Sequence, residues 1–357
     1  MNPARKKGKR IPRPASSGAD SSVDLTRLLD IVAAFPRQRI CVIGDFVLDE
    51  FVSGEISRVS REAPVLILRR RASEIYPGGA ANAVNNLADL GARVVPVGVV
   101  GDDEGGRALI EYFRRKRVDT SRILRVAGWT TTTKTRFLAG WTHTTEQQVL
   151  RVDREPSGEL PAAAQESVAR RARPAARRAD AVLISDYGLG AATPALARGL
   201  RAKCVTLDSR FRLLEYRDAG ISAATPNEPE IEAAYQARIG TDKAKLEELG
   251  ARALRDLGVE SLVITRGKDG LAVFERDSVA PRHIAIYGSD APVDVTGAGD
   301  TVIAVFTLAR AAGASAIEAA HLANYAGGLV VMKRRTATVT RAELEAALRR
   351  EATAAQR

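Results

Sequence analysis

Only two cysteines, Cys41 and Cys204, occur in the 357 residues, too few for a disulfide framework. Both sit inside apolar, strand-like runs, where the reduced, buried thiols of a cytoplasmic protein are expected. Histidine is nearly as scarce. His143, His283 and His321 are scattered, so neither a histidine-built metal site nor histidine catalysis is supported, and all three read as structural. No apolar run approaches ~18 residues, so no transmembrane helix is expected. Residues 1–22 lack the apolar centre of a secretory signal. They also lack acid before Asp20, whereas Arg5, Lys6, Lys7, Lys9, Arg10 and Arg13 are all basic. With its Pro, Ser and Gly content this stretch reads as a disordered basic tail. It could touch nucleic acid or an anionic surface. Basic termini are commonly just solvated, however, and neither a nucleic-acid nor a membrane partner is expected. The chain has no internal repeat.

What is present suits a folded enzyme. Hydrophobic residues at 45% and charged residues at 27% can bury a full core under a soluble surface. The length exceeds the usual domain, but α/β folds of about 250 to 320 residues occur as one unit, so residues 23–350 are read as a single domain. The net charge of +11 permits phosphorylated substrates without demanding them.

In chain order, Asp24 to Ala34 is amphipathic and predicts a leading helix. Residues 39–45 form an apolar run ending in Gly44-Asp45, as in a buried parallel strand delivering polar groups at its C-terminal end. Open α/β sheets bind ligands at that edge, making Asp45 and Asp49 candidates to hold sugar hydroxyls, although turn or cap roles are common for either alone. Residues 51–71, broken by Gly54 and Pro64, read as two short antiparallel strands. Gly78-Gly79 opens a small-residue helix in which Asn82 offers a donor and an acceptor to a polyol. Residues 130–153 alternate and read as the other half of a small β-sheet lid, paired with 50–71. After Pro161, strand–helix units follow one another, which argues for a doubly wound, mostly parallel sheet with helices on both faces.

The segment 294–300, Asp-Val-Thr-Gly-Ala-Gly-Asp, runs into an apolar helix. Small residues at a helix start leave backbone N–H groups uncovered, and the helix dipole favours an anion there. A carboxylate at that place, Asp300, would repel a resting phosphate. It makes sense as the acceptor of a proton from a hydroxyl attacking a phosphoryl group. A bare G-x-G-D is equally well a glycine-softened turn. Asn227 and Glu230 at another helix start read most simply as an N-cap with a first-turn acid. The turn Thr265-Arg266-Gly267-Lys268-Asp269-Gly270 could be only a hairpin.

Taken together, 44–49, 57–65, the Gly-Gly-Ala-Ala-Asn helix, 147–153, 185–187, 225–227 and 294–301 resemble the PfkB/ribokinase family of sugar kinases over about residues 36–348. Within it they are most similar to the D-glycero-β-D-manno-heptose-7-phosphate kinases. The resemblance implies a ribokinase-like α/β fold with a β lid, ATP and Mg²⁺, and transfer to a sugar or sugar phosphate. It implies an anion hole from Gly297, Ala298 and Gly299 with Asp300 as base, and sugar contacts from Asp45, Asp49, Gly78, Gly79 and Asn82. Asn227 and Glu230 would organise Mg²⁺ through water. Thr265, Gly267, Gly270 and Arg210 would lie on the nucleotide side, with the adenine shelved on 320–328 around Asn324. For an acceptor already carrying phosphate, Arg58, Arg61 and Lys134 are the expected cations. Exposed lid strands favour a homodimer.

The chain departs from the family pattern where Leu189 stands for a lysine and Ser209-Arg210 for Pro-Lys, which touches the nucleotide contacts. Ending at Arg357, it leaves no room for the adenylyltransferase domain of bifunctional members, and one activity is expected. Two rivals stay open: a kinase of another sugar, and a non-catalytic sugar- or nucleotide-binding regulator.

Overall fold

The computed structural model describes residues 23–141, 146–289 and 291–355. The 1–22 tail and His143 lie outside them. Asp24 accepts a hydrogen bond from the Thr26 N–H and caps α1 (Leu25–Ala34). The strand β1 (Arg39–Val59) is followed by β2 (Leu66–Gly79), α2 (Ala80–Asp89), β3 (Arg93–Gly101), α3 (Glu104–Arg115) and β4 (Ile123–Val126). Next come β5 (Thr132–Gly140) and β6 (Gln147–Arg154). The strand–helix succession runs through α4 (Ala162–Arg177), β7 (Ala181–Asp186), α5 (Pro194–Arg198), β8 (Val205–Ser209), β9 (Ala223–Ala224), α6 (Glu228–Tyr235), α7 (Lys243–Leu257) and β10 (Ser261–Thr265). The chain closes with β11 (Leu271–Glu275), β12 (Arg282–Ile284), α8 (Ala298–Ala311), α9 (Ala316–Val330) and α10 (Arg341–Ala355).

The main sheet has the order β12-β11-β10-β9-β8-β7-β1-β3-β4, all strands running one way except β11, which is antiparallel to both β10 and β12. Period-two burial splits each central strand between two layers. Ile40 and Val42 of β1 pack with α1, α2, α8 and α9, while Cys41 and Ile43 pack with α4 and α7. Burial pushes the Cys41 thiol up to about 12, so it stays protonated and inert. Among the described residues, no helix is long and apolar enough to cross a membrane.

The expected strand end at Gly44-Asp45 is corrected. β1 does not stop there but runs 21 residues from the main sheet into the lid, changing partners on the way. Up to Asp45 it pairs with β3; from Phe46 it pairs with β2, and from Val47 with β5. A Cβ at Gly44 would collide with the Ser185 carbonyl and with the Ala80 side chain, so the glycine admits close packing and does not mark a turn. The lid has the order β2-β1-β5-β6, with β5 parallel to β1. The two short strands expected over 51–71 are accordingly the outer half of β1 and the start of β2.

Candidate active site

Three elements converge on Asp300, which is 4% exposed in the first turn of α8. Gly297, with φ +77°, caps that helix, and a Cβ on it would strike the Asn82 amide. Asn82 Nδ2 of α2 donates to Asp300 Oδ2 at 3.0 Å and to the Gly297 carbonyl at 3.2 Å. Asn86, one turn on, donates to Asn82 Oδ1 at 3.1 Å and fixes the amide from behind. From the end of β7, the Tyr187 hydroxyl donates to Asp300 Oδ1 at 2.8 Å. Burial raises the Asp300 carboxyl to about 7, against the pull of the Asn82 and Tyr187 hydrogen bonds, with Asp49 adding to the rise and Lys134 opposing it. A carboxylate poised there suits a general base at neutral pH. Of the anion-hole N–H groups expected, that of Ala298 closes a turn onto the Val295 carbonyl at 3.2 Å. Gly297 and Gly299 line the cavity beside Asp300, and a Cβ on Gly299 would meet only open space.

Asp45 and Asp49, alike in the sequence, differ in the fold. Asp45 accepts the backbone N–H groups of Tyr187, Leu189 and Ala191 at 2.8, 3.0 and 2.9 Å. Its carboxylate holds the loop after β7. Asp49 accepts Arg136 at 2.6 Å and the Thr336 hydroxyl at 2.9 Å. A Cβ on Gly78 would come within 2.7 Å of Asp49 Oδ2, which explains that glycine, and Gly79 (φ +56°) caps α2.

Register sorts the lid cations. Asp49 pairs with Lys134 and Phe51 with Arg136 across β1 and β5, placing both cations on the face turned to the site. Lys134 lines a cavity with Arg151, Arg210, Tyr187, Leu189 and Phe211. Burial, and then Arg210, hold the Lys134 ammonium below its ordinary range. Arg58 and Arg61 are exposed, and Arg58 lies nine residues, about 30 Å of strand, beyond Asp49. The structure brings Lys134 to the site and leaves those two arginines away from it.

On the other side of Asp300 the cavity is lined by Asp208, Arg210, Asn227 and Glu230. Asn227 and Glu230 form a reciprocal cap on α6, with the Glu230 N–H donating to Asn227 Oδ1 at 2.8 Å and the Asn227 N–H to Glu230 Oε2 at 2.9 Å. One Glu230 oxygen is left to face the cavity. Burial, relieved in part by the Asn227 bond and Arg210, raises Glu230 to about 7, and Asp208 is raised strongly by burial and by Glu230. Carboxylates that resist ionising are what a divalent cation would relieve, so the donor set fits Mg²⁺. Beyond it, a mostly apolar cleft brings together Thr265, Gly267, Gly270 and Asn324 with Val302 and Gly328. Asn324 is anchored by donating to the Ala285 carbonyl at 2.8 Å.

Sequence reasoning missed Tyr187, Asp208, Arg136, Thr336 and Arg335. Tyr187 lies within the 185–187 motif and Asp208 beside Ser209-Arg210, but neither was given a role in the site. Arg335 belongs to no motif, yet its N–H donates to Asp294 Oδ2 at 2.9 Å and its guanidinium reaches Ser53 at 3.1 Å and pairs with Glu74. Among the described histidines, His283 meets Glu247 at 3.0 Å.

The chain is similar to "Bifunctional protein HldE" of Desulfatibacillum aliphaticivorans, 39% identical over 323 residues, 89% of this chain and 64% of that one. It therefore spans under two thirds of that relative's length. Its backbone is similar to a solved phosphofructokinase-2 mutant of Escherichia coli (TM-score 0.71, 15% identity, covering 88% of this chain and 99% of that one). It is also similar to Arabidopsis thaliana ribokinase complexed with ribose and ATP (TM-score 0.64, 19% identity, 87% and 98%). At those identities the likeness carries the ribokinase-like fold. The pattern described as "pfkB family carbohydrate kinase" matches residues 37–343, spanning the lid, the Asn82 helix and the Asp300 loop. With that pattern covering most of its length, the chain belongs to the pfkB family of carbohydrate kinases, phosphotransferases with an alcohol group as acceptor.

Proposed function

We propose that the chain transfers the γ-phosphoryl group of ATP to the C1 hydroxyl of D-glycero-β-D-manno-heptose 7-phosphate, giving the 1,7-bisphosphate, as a cytoplasmic enzyme. The observation that carries the transfer is Asp300, buried, raised to about 7 and lining a cavity with Asp208, Arg210 and Glu230. Asp300 takes the acceptor's hydroxyl proton as the new O–P bond forms. The bond to the leaving phosphate oxygen breaks, and ADP departs. Backbone N–H groups of Gly297 and Gly299 stabilise charge on the transferred group. Asp208, Glu230 and Asn227 would hold Mg²⁺, partly through water. Held there, the ion would supply charge neutralisation for phosphoryl transfer.

The heptose assignment rests on the motif resemblance and on the cations of the acceptor pocket. We move the acceptor-phosphate role from Arg58 and Arg61 to Lys134, with Arg151 and Arg210 beside it. These cations also surround Leu189, where the family pattern carries its lysine. Lys134→Ala is expected to raise KM for phosphorylated sugars about 10- to 100-fold, the size of one charge-assisted contact, and to leave unphosphorylated sugars nearly unchanged. Turnover of ATP against a sugar panel containing the heptose 7-phosphate tests the whole reading. Selective turnover of another sugar would keep the transfer chemistry and discard the heptose.

The lid's outer parts expose Val59, Val65, Leu66, Leu150 and Val152, and we propose that a second copy covers them. Sedimentation should give a dimer for the wild type and a monomer for Leu150→Asp/Val152→Asp. A monomeric wild type would overturn this.

A further inference from the structure

The carboxylate of Asp300 is held from two sides. Asn82 secures Oδ2 and is itself secured by Asn86 and the Gly297 carbonyl. Oδ1 is met only 2.8 Å away by the hydroxyl of Tyr187, from a different layer of the fold. Tyr187 is not placed by chance. The loop that carries it is clamped by Asp45, which accepts three successive alternate N–H groups, the Tyr187 N–H among them. Its ring lies against the Gly79 position on one side, and Lys134 Nζ stands 6.0 Å from the ring centroid. Tyr187 also lines both the cavity that holds Asp300 and the one that holds Lys134.

We infer that Tyr187 is a positioning residue for the base: its hydroxyl fixes the Asp300 carboxylate in the orientation from which a lone pair meets the acceptor hydroxyl. This rests on Asp300 being the base. An ionised carboxylate only accepts, so in the reactive state the phenol must be the donor. Each carboxylate oxygen has two acceptor sites, and with one on each oxygen occupied by Tyr187 and Asn82 the remaining ones are aimed and not free to rotate away. Asp45, at one remove, acts through the loop it clamps.

A donor to the ionised form also favours that form. The other groups facing Asp300 are Asp49 from β1, Lys134 from β5, Asn82 from α2, Asp208 and Arg210 at the end of β8, and Glu230 from α6. All remain in a Tyr187→Phe variant, so a change in titration reads the phenol alone.

The test is the pH dependence of kcat and kcat/KM for ATP-driven sugar phosphorylation in the full chain, for wild type, Tyr187→Phe and 3-fluorotyrosine introduced at position 187. Tyr187→Phe should lower kcat at pH 7 about 10-fold and move the acid limb up by about one pH unit. KM for ATP should stay within about twofold, and the deficit should narrow at high pH. The fluorinated phenol, a stronger donor of nearly the same shape, should move the limb the opposite way. A Tyr187→Phe profile superimposing on wild type, or a limb indifferent to fluorination, would overturn the inference even if the variants melt lower. A wild type that phosphorylates no sugar would instead sink the kinase reading on which it rests.

Discussion

Asp300→Asn should cost at least about 10³-fold in kcat, with ATP and sugar binding retained. The expectation follows from placement. Asp300 is buried and raised to about 7, and every oxygen orientation is set by Asn82 and Tyr187. The amide keeps the size of the side chain and loses its ability to take a proton. The wild-type sign follows from the same value. Below about pH 7 the carboxyl is protonated and cannot act as base, so kcat/KM should fall as the medium becomes more acidic, and the Asn variant should show no such limb. Isothermal titration of nucleotide and sugar beside steady-state rates checks both halves. A variant that turns over at near wild-type rate would remove Asp300 from the chemistry.

The second large effect is on stability. Asp49→Ala leaves the Arg136 guanidinium buried, 11% exposed at its side chain, with its carboxylate partner gone and the Thr336 hydroxyl unpaired. Breaking a buried pair from one side costs about 3–5 kcal/mol, much more than the pair contributes against an apolar substitute. Urea unfolding should show that loss. The double variant Asp49→Ala/Arg136→Met should recover most of it, because Phe51, 5.3 Å from the guanidinium, offers an apolar surface for the methionine. Sugar KM should stay raised in both if Asp49 also touches the acceptor. Recovery of KM with stability would make Asp49 purely architectural.

Much of this was legible without coordinates. The βα succession after Pro161 announced the parallel sheet, and the small-residue string before Asp300 announced a helix start. The Asp45 role was not legible. Gly44-Asp45 has the composition of a strand end, and only the packing of α2 against β1 reveals that the glycine is there for clearance and the strand continues. Tyr187 was hidden for a related reason, because its partner lies 113 residues away and no local period connects them. The placement of Arg58 and Arg61 was not legible: basic residues are easy to find in a lid segment, but how far each lies from Asp300 depends on strand length and on parity across β1 and β5.

That parity has a consequence for sequence change. Because one uninterrupted strand serves both sheets, a single-residue deletion between Gly44 and Asp49 would leave the core half of β1 paired as before. It would invert every later position, turning Asp49 and Phe51 outward and Glu50 and Val52 inward. Loops usually absorb insertions and deletions, and this join between the two sheets contains none. Its length is therefore as much a specification of the acceptor pocket as any side chain in it. A substitution that keeps the count keeps the register, and a change in the count does not.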